Sequence, residues 1–211
     1  MPIVNIAGLR VLVDAEENRV QIDDITEKDA EGVWRQVRAE YPGFAVDFGF
    51  LNTLAPIDFL KSIGAEVAKD YIELRLARED LIDVVTKEAV AIDEGNFAVF
   101  AALHDAKNPD MCWHSERLRK HLAGWGIFGV FCDGEITGYA LVRRGYEIYC
   151  VVADGIEDKV ALIGAAAKQV LADGHKEVLF MVDRNDYLNL GAALHLGFRR
   201  AGYYIGYRVQ L

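Results

Sequence analysis

The sequence predicts an α/β protein with a mixed, twisted sheet flanked by helices, and three observations predict it. Short runs of alternating polarity and longer runs of helical period succeed one another along all 211 residues. Asp133-Gly134 separates two apolar runs, a strong hairpin signal, so antiparallel pairs occur beside strands joined through helices. A fixed offset of 133 residues lays one helix–strand–helix–strand unit over another: Asn52 over Asn185, Gly64 over Gly197, Tyr71-Ile72 over Tyr204-Ile205 and Arg75 over Arg208.

The elements follow in order. Residues 9–14 alternate and read as a strand, with 19–22 as its hairpin partner. Thr26 reads as the N-cap of a helix with an acidic first turn, stopped by Pro42-Gly43. Residues 44–50 form a strand, Pro56 to Gly64 bracket a helix, and 66–77 form another strand. Val84, Val85, Val90 and Ile92 predict a strand over 82–92. Helices are expected over 96–107 and from Ser115 to about Ala123. Strands at 125–132, 135–143 and 146–153 come next. A helix over 158–172, a strand over 177–183, a short helix over 187–196 and a strand over 198–210 complete the chain. On this reading residues 1–78 are a partial copy of a fold whose complete form occupies residues 79–211. The partial copy has an open sheet edge, which pairs with the complete domain or with a second chain as a homodimer.

Composition narrows the function classes. With 52% hydrophobic and 27% charged residues, the chain has the makings of an ordinary globular core. The net charge of -10 is spread evenly, with no basic stripe for a nucleic acid. Cys112, Cys132 and Cys150 form neither a zinc-type pair nor a disulfide framework, and no metal site is expected. No apolar run reaches the roughly 20 residues of a membrane span, and no basic segment opens a leader peptide, so the cytoplasm is the expected compartment.

Residues 82–211 run strand, two helices, three antiparallel strands, helix, strand, helix, strand. With the hairpin Phe131 to Tyr139, the strand Glu147 to Val152, and Asn185 followed by a short helix and Leu196-Gly197-Phe198, this resembles the GNAT-type N-acetyltransferases. The resemblance implies transfer of acetyl from acetyl-CoA to an amine on a small molecule or peptide. It implies that the backbone of Cys150, Val151 and Val152 holds the pantetheine arm. Gly155, Ile156 and Lys159 would surround the pyrophosphate at a helix N-terminus, with Asn185 nearby. It places Glu147 as the general base; the family's acid is a Tyr at a position held here by Ala193, so one of Tyr187, Tyr203 or Tyr204 would substitute for it.

The chain departs from the family pattern at marked positions. Glu157, Val160 and Leu162 stand where an Arg or Gln and two glycines are expected, and Ala193 stands where a Tyr is expected. Asp154, Glu157 and Asp158 put three acids beside an anion site. The alternative is therefore a GNAT-fold binding or assembly module that has lost CoA binding and catalysis.

Overall fold

The computed structural model describes residues 2–84 and 87–211, and the expected Val85 and its neighbour Thr86 lie outside them. The chain forms two compact units, one made of Met1–Ile72 with Gly202–Leu211 and the other of Glu73–Ala201. This division differs from a boundary at 78/79, and strand pairing is the reason. Two strands straddle the division. The strand over 66–77 ends in the second unit, and the strand over 199–210 has its C-terminal part in the first.

In the first unit, β1 (Ile3–Ile6), β2 (Leu9–Asp14) and β3 (Arg19–Asp23) form an antiparallel meander. β3 then runs parallel to β4 (Ala45–Leu51) through the crossover helix α1 (Glu27–Glu40). β4 pairs antiparallel with β11 (Arg199–Gln210), and β11 neighbours β5 (Glu66–Ala77). The short helix α2 (Ile57–Ser62) joins β4 to β5. Ala30, Val33 and Val37 recur at helical spacing on α1 and bury against Val20, Ile22, Val46 and Phe48 of the sheet. Burying each such side chain fully contributes about 1.5–3 kcal/mol.

In the second unit the strand order is β5, β10 (Glu177–Asp183), β9 (Glu147–Ala153), β8 (Glu135–Arg143), β7 (Trp125–Cys132) and β6 (Val90–Ala91). β7, β8 and β9 are antiparallel, with Asp133 and Gly134 both at positive φ in the first turn, as its type I′ geometry requires. β9 and β10 are parallel and joined by α5 (Ile156–Ala172). Helices α3 (Phe97–Lys107) and α4 (Ser115–Lys120) pack with β7 and β8 around Phe100, Leu118, Ile127 and Tyr139. α6 (Tyr187–His195) joins β10 to β11.

β1 is a strand that the sequence does not announce, since it carries no strong alternation. Three expectations are corrected. The strand expected over 82–92 shrinks to Val90–Ala91 among the described residues. Its earlier part is held by other partners: the Ile82 N–H donates to the Leu196 carbonyl at 3.1 Å, Lys168 donates to Asp83 at 2.7 Å, and Lys87 donates to Asp158 at 2.8 Å. The helix from Ser115 breaks at His121, whose φ of -121° and ψ of 23° lie outside the helical region and lead into a separate 3-10 turn over Leu122–Gly124. α5 begins two residues earlier than expected, which makes Gly155 its N-cap.

Candidate active site

The site grows from an irregularity in β9. Leu141 of β8 pairs with Cys150, yet Val142 pairs with Ile148, so Tyr149 is an extra residue, a β-bulge. On the other side β9 pairs with β10 only at Glu147 and Ile148, opposite Leu179 and Phe180. The two parallel strands therefore part at the bulge. Beyond it the Val151 carbonyl faces away from β8 and accepts from Asn189 Nδ2 on α6 at 3.0 Å. Ladder bonding alternates sides along an antiparallel strand, so the Val151 N–H faces the same gap.

The gap is bounded by a buried polar group. Asn189 also donates to Asp186 at 2.7 Å and accepts from Lys159 Nζ at 3.1 Å, while Lys159 lies 3.7 Å from Asp186. Lys159 and Asn189 are both buried. A lysine ammonium removed from water needs such partners, and the set is self-consistent, with the ammonium between an amide oxygen and a carboxylate.

At the mouth of the gap lies the N-terminus of α5. Its first intrahelical bond runs from the Lys159 N–H to the Gly155 carbonyl at 3.1 Å, so the amides of Ile156, Glu157 and Asp158 project from the helix end, where anions are favoured. A side chain at Gly155 would meet nothing within 4 Å, so the backbone there is open to close approach. Of the three acids, Asp158 is bound by Lys87 at 2.8 Å, and Asp154 lies 3.7 Å from Lys107. A cleft of about 480 Å³ continues from this helix end and is lined by Val84, Lys87, Ile156, Val160, Ala192 and His195. Leu162 turns inward, fully buried, and does not narrow the helix end; Val160 lines the cleft wall.

The anticipated residues fall as follows. Cys150, Val151 and Val152 lie on the diverging part of β9; Gly155 and Ile156 are at the helix end. Lys159 points to Asn189 and Asp186, away from that end. Glu147 is half-buried at the start of β9, 3.9 Å from Arg143. Asn185 is exposed, its N–H held by Asp183 at 2.8 Å. Tyr187 is exposed at the first turn of α6. Tyr203 and Tyr204 belong to the first unit. There Asn52 receives the Tyr203 N–H at 2.8 Å, and Tyr204 stacks on Tyr71 at 6.2 Å. Burial, reinforced by Asp23, pushes the Tyr204 phenol well above its ordinary range. Ala193 is fully buried.

Behind β9 sits a second polar group that sequence did not reveal. His104 of α3 contacts Tyr139 Oη through Nδ1 at 2.8 Å and the Trp113 carbonyl through Nε2 at 2.8 Å. A carbonyl only accepts, so Nε2 carries the proton and Tyr139 donates to Nδ1. Asn108 donates to the same phenol oxygen at 2.6 Å. Burial pushes the Tyr139 phenol up and the Cys150 thiol up to about 12. Exposed Cys132 is therefore expected to react with a thiol reagent at about pH 8 well before Cys150. Labelling followed by peptide mass analysis checks this; equal rates at the two would contradict it.

Burial also holds His104 below its ordinary value of 6.5, against the opposing carbonyl bond. A depressed histidine stabilises the fold fully above the unfolded pKa, and that contribution is lost as pH falls through 6.5 toward the folded value. The urea midpoint is expected to fall between about pH 7.5 and pH 5.5, and to fall less in His104→Gln. Equal declines in the two proteins would contradict the buried neutral imidazole.

No protein-family model and no curated protein matches the sequence. Solved structures do match. A GCN5-related N-acetyltransferase from Kribbella flavida is similar over 98% of this chain and 88% of its own, with a TM-score of 0.70 at 14% identity. A putative GNAT-family acetyltransferase from Novosphingobium aromaticivorans is similar over 95% and 87%, with a TM-score of 0.63 at 16% identity. A tandem GNAT protein from the clavulanic acid biosynthesis pathway covers 96% of this chain and 78% of its own, with a TM-score of 0.62 at 12% identity. The parting strands, the intervening helix and these similarities over nearly the whole chain together show that it has the fold of the GCN5-related N-acetyltransferases.

Proposed function

We propose that the protein is an acetyltransferase that takes acetyl from acetyl-CoA and delivers it to an amine of a small molecule or peptide. The observation that carries this reading is the bulge at Tyr149, which parts β9 from β10 and leaves the Val151 backbone facing a gap. The gap leads to an open helix N-terminus and a cleft of about 480 Å³, a size common to small-molecule and cofactor sites.

The residues fit the cofactor in part. The backbone of Cys150, Val151 and Val152 would pair with an extended amide-bearing arm. The amides at Gly155 and Ile156, with Lys87 at the rim, would hold a pyrophosphate. Bound acetyl-CoA supplies a thioester, an acyl group already activated toward amines. Glu147 takes the proton that the attacking nitrogen must lose, directly or through water. Tyr187, the anticipated phenol that lies in the second unit, gives a proton to the leaving sulfur. Lys159 and Asn189 act as positioning residues that set the width of the gap.

The binding-module reading is favoured by one observation: Asn189 already satisfies the Val151 carbonyl, on the edge where a cofactor arm would bond. Calorimetry with acetyl-CoA separates the two. The acetyltransferase reading expects saturable binding with a Kd well below about 1 mM. No heat at that concentration would leave the binding module.

The repeat is also proposed here as a true duplication. α1, β4, α2 and β5 follow one another as α5, β10, α6 and β11 do, and β5 and β11 have the same length at the same offset. The tandem GNAT protein is a parallel for two such units in one chain.

A further inference from the structure

The first unit holds a cleft of its own, between α1 and α2, with a volume of about 520 Å³. In the repeat, these helices correspond to α5 and α6, so each unit opens between the same pair of helices. The linings differ in chemistry. The cleft of the second unit is largely aliphatic, with Lys87 and Glu157; that of the first carries Trp34, Phe59, Arg35, Arg38 and Ser62.

The two aromatics are fixed from below. Trp34 packs on fully buried Phe48 at 6.1 Å and Phe59 packs edge-on to it at 6.2 Å, while parts of both rings line the cleft. The two arginines stand three apart on one helix face, a spacing at which like charges repel and weaken a helix by a few tenths of a kcal/mol. Among the described residues, neither forms a salt bridge. Glu31, one turn before Arg35 and lining the same cleft, does not reach ion-pair distance. Arginines elsewhere in this acidic chain do find carboxylates: Arg19 and Arg208 on Asp47, Arg75 on Glu177 and Arg199 on Asp80. Two uncommitted guanidinium forks beside two anchored aromatic rings match one kind of ligand. The forks suit a planar or tetrahedral oxyanion, and the rings suit a flat apolar body.

We infer that this cleft is a second binding site, for a small ligand with a planar ring and a carboxylate or phosphate. Such chemistry is offered by nucleoside monophosphates and by aryl carboxylic acids. The site is independent of acetyl transfer in the second unit.

The test uses the full chain and the fluorescence of Trp34. Adenosine 5′-monophosphate and phenylacetate are titrated in parallel, with adenosine and benzyl alcohol as uncharged counterparts. At least one anion is expected to quench saturably in the millimolar range or below, and the anion that binds identifies the source of the ligand. Its uncharged counterpart should bind at least about tenfold more weakly. Arg35→Gln and Arg38→Gln are each expected to weaken binding about tenfold, since both side chains are exposed and their removal leaves the core intact. Trp34→Phe removes the optical change while calorimetry still detects binding, which separates loss of signal from loss of site. Absence of binding by both anions at about 10 mM would overturn the inference, as would affinity unchanged in the two arginine variants.

Discussion

Gly197→Ala is expected to destabilise the protein by about 3 kcal/mol or more, while Gly64→Ala costs about 1 kcal/mol. The two glycines lie 133 residues apart, each follows a short helix, and they close their helices in the same way. The Gly197 N–H donates to Leu194 and the Phe198 N–H to Ala193, both at 3.1 Å; the Gly64 N–H donates to Lys61 at 3.1 Å and the Ala65 N–H to Leu60 at 2.9 Å. Both are Schellman caps, and both need a left-handed residue: φ is +98° at Gly197 and +74° at Gly64. An alanine pays for that φ at either site. Only at Gly197 does an added side chain also collide with backbone, the Asp80 carbonyl, which lies on the segment crossing the end of α6. At Gly64 it meets nothing within 4 Å. Urea denaturation of both variants measures the difference, and equal losses would contradict the packing of residues 80–82 against α6.

Glu147→Gln is expected to lower the rate of acetyl transfer about 100-fold or more while leaving acetyl-CoA affinity within about threefold. The amide keeps the size of the carboxylate but takes no proton from the amine. Glu147 lies where β9 and β10 are still paired, before the bulge, so it is held more firmly than the residues beyond it. The expected signature is a fall in kcat without a matching rise in KM for acetyl-CoA. Unchanged turnover in the variant would remove Glu147 from the mechanism.

How much of this was legible in the sequence follows from where each feature gets its energy. The turn at Asp133-Gly134 and the caps at Gly64 and Gly197 are local: positive φ selects the residue type, so the residues announce the structure. α1 and α5 are long amphipathic or buried helices whose spacing is plain. The two-residue β6 is different. Its ladder depends on Gly129 and Phe128 of β7, while before it Asp83 is bound by Lys168 of α5 and the Ile82 N–H by Leu196 at the end of α6. That 150–152 lie in a strand after the hairpin follows from element order alone; that this strand parts from β10 does not. The partners of Lys159 were not legible. A lysine near a helix start reads as a cation at the cofactor's mouth, and only the packing of α6 turns it to Asn189 and Asp186. A polar Asn189 between Leu188 and Leu190 on the short helix was the one available hint. His104, Asn108 and Tyr139 likewise meet only through tertiary packing of α3 on β8.

The central claim is that the gap between β9 and β10 receives acetyl-CoA. Its most direct test is the backbone amide spectrum of the isotope-labelled protein titrated with acetyl-CoA. The account predicts saturable shifts at Val151 and Val152 on the diverging strand and at Ile156, Glu157 and Asp158 at the end of α5. It also predicts a shift of the Asn189 side-chain amide as it yields or shares the Val151 carbonyl. A titration in which these amides stay fixed at saturating acetyl-CoA would contradict it.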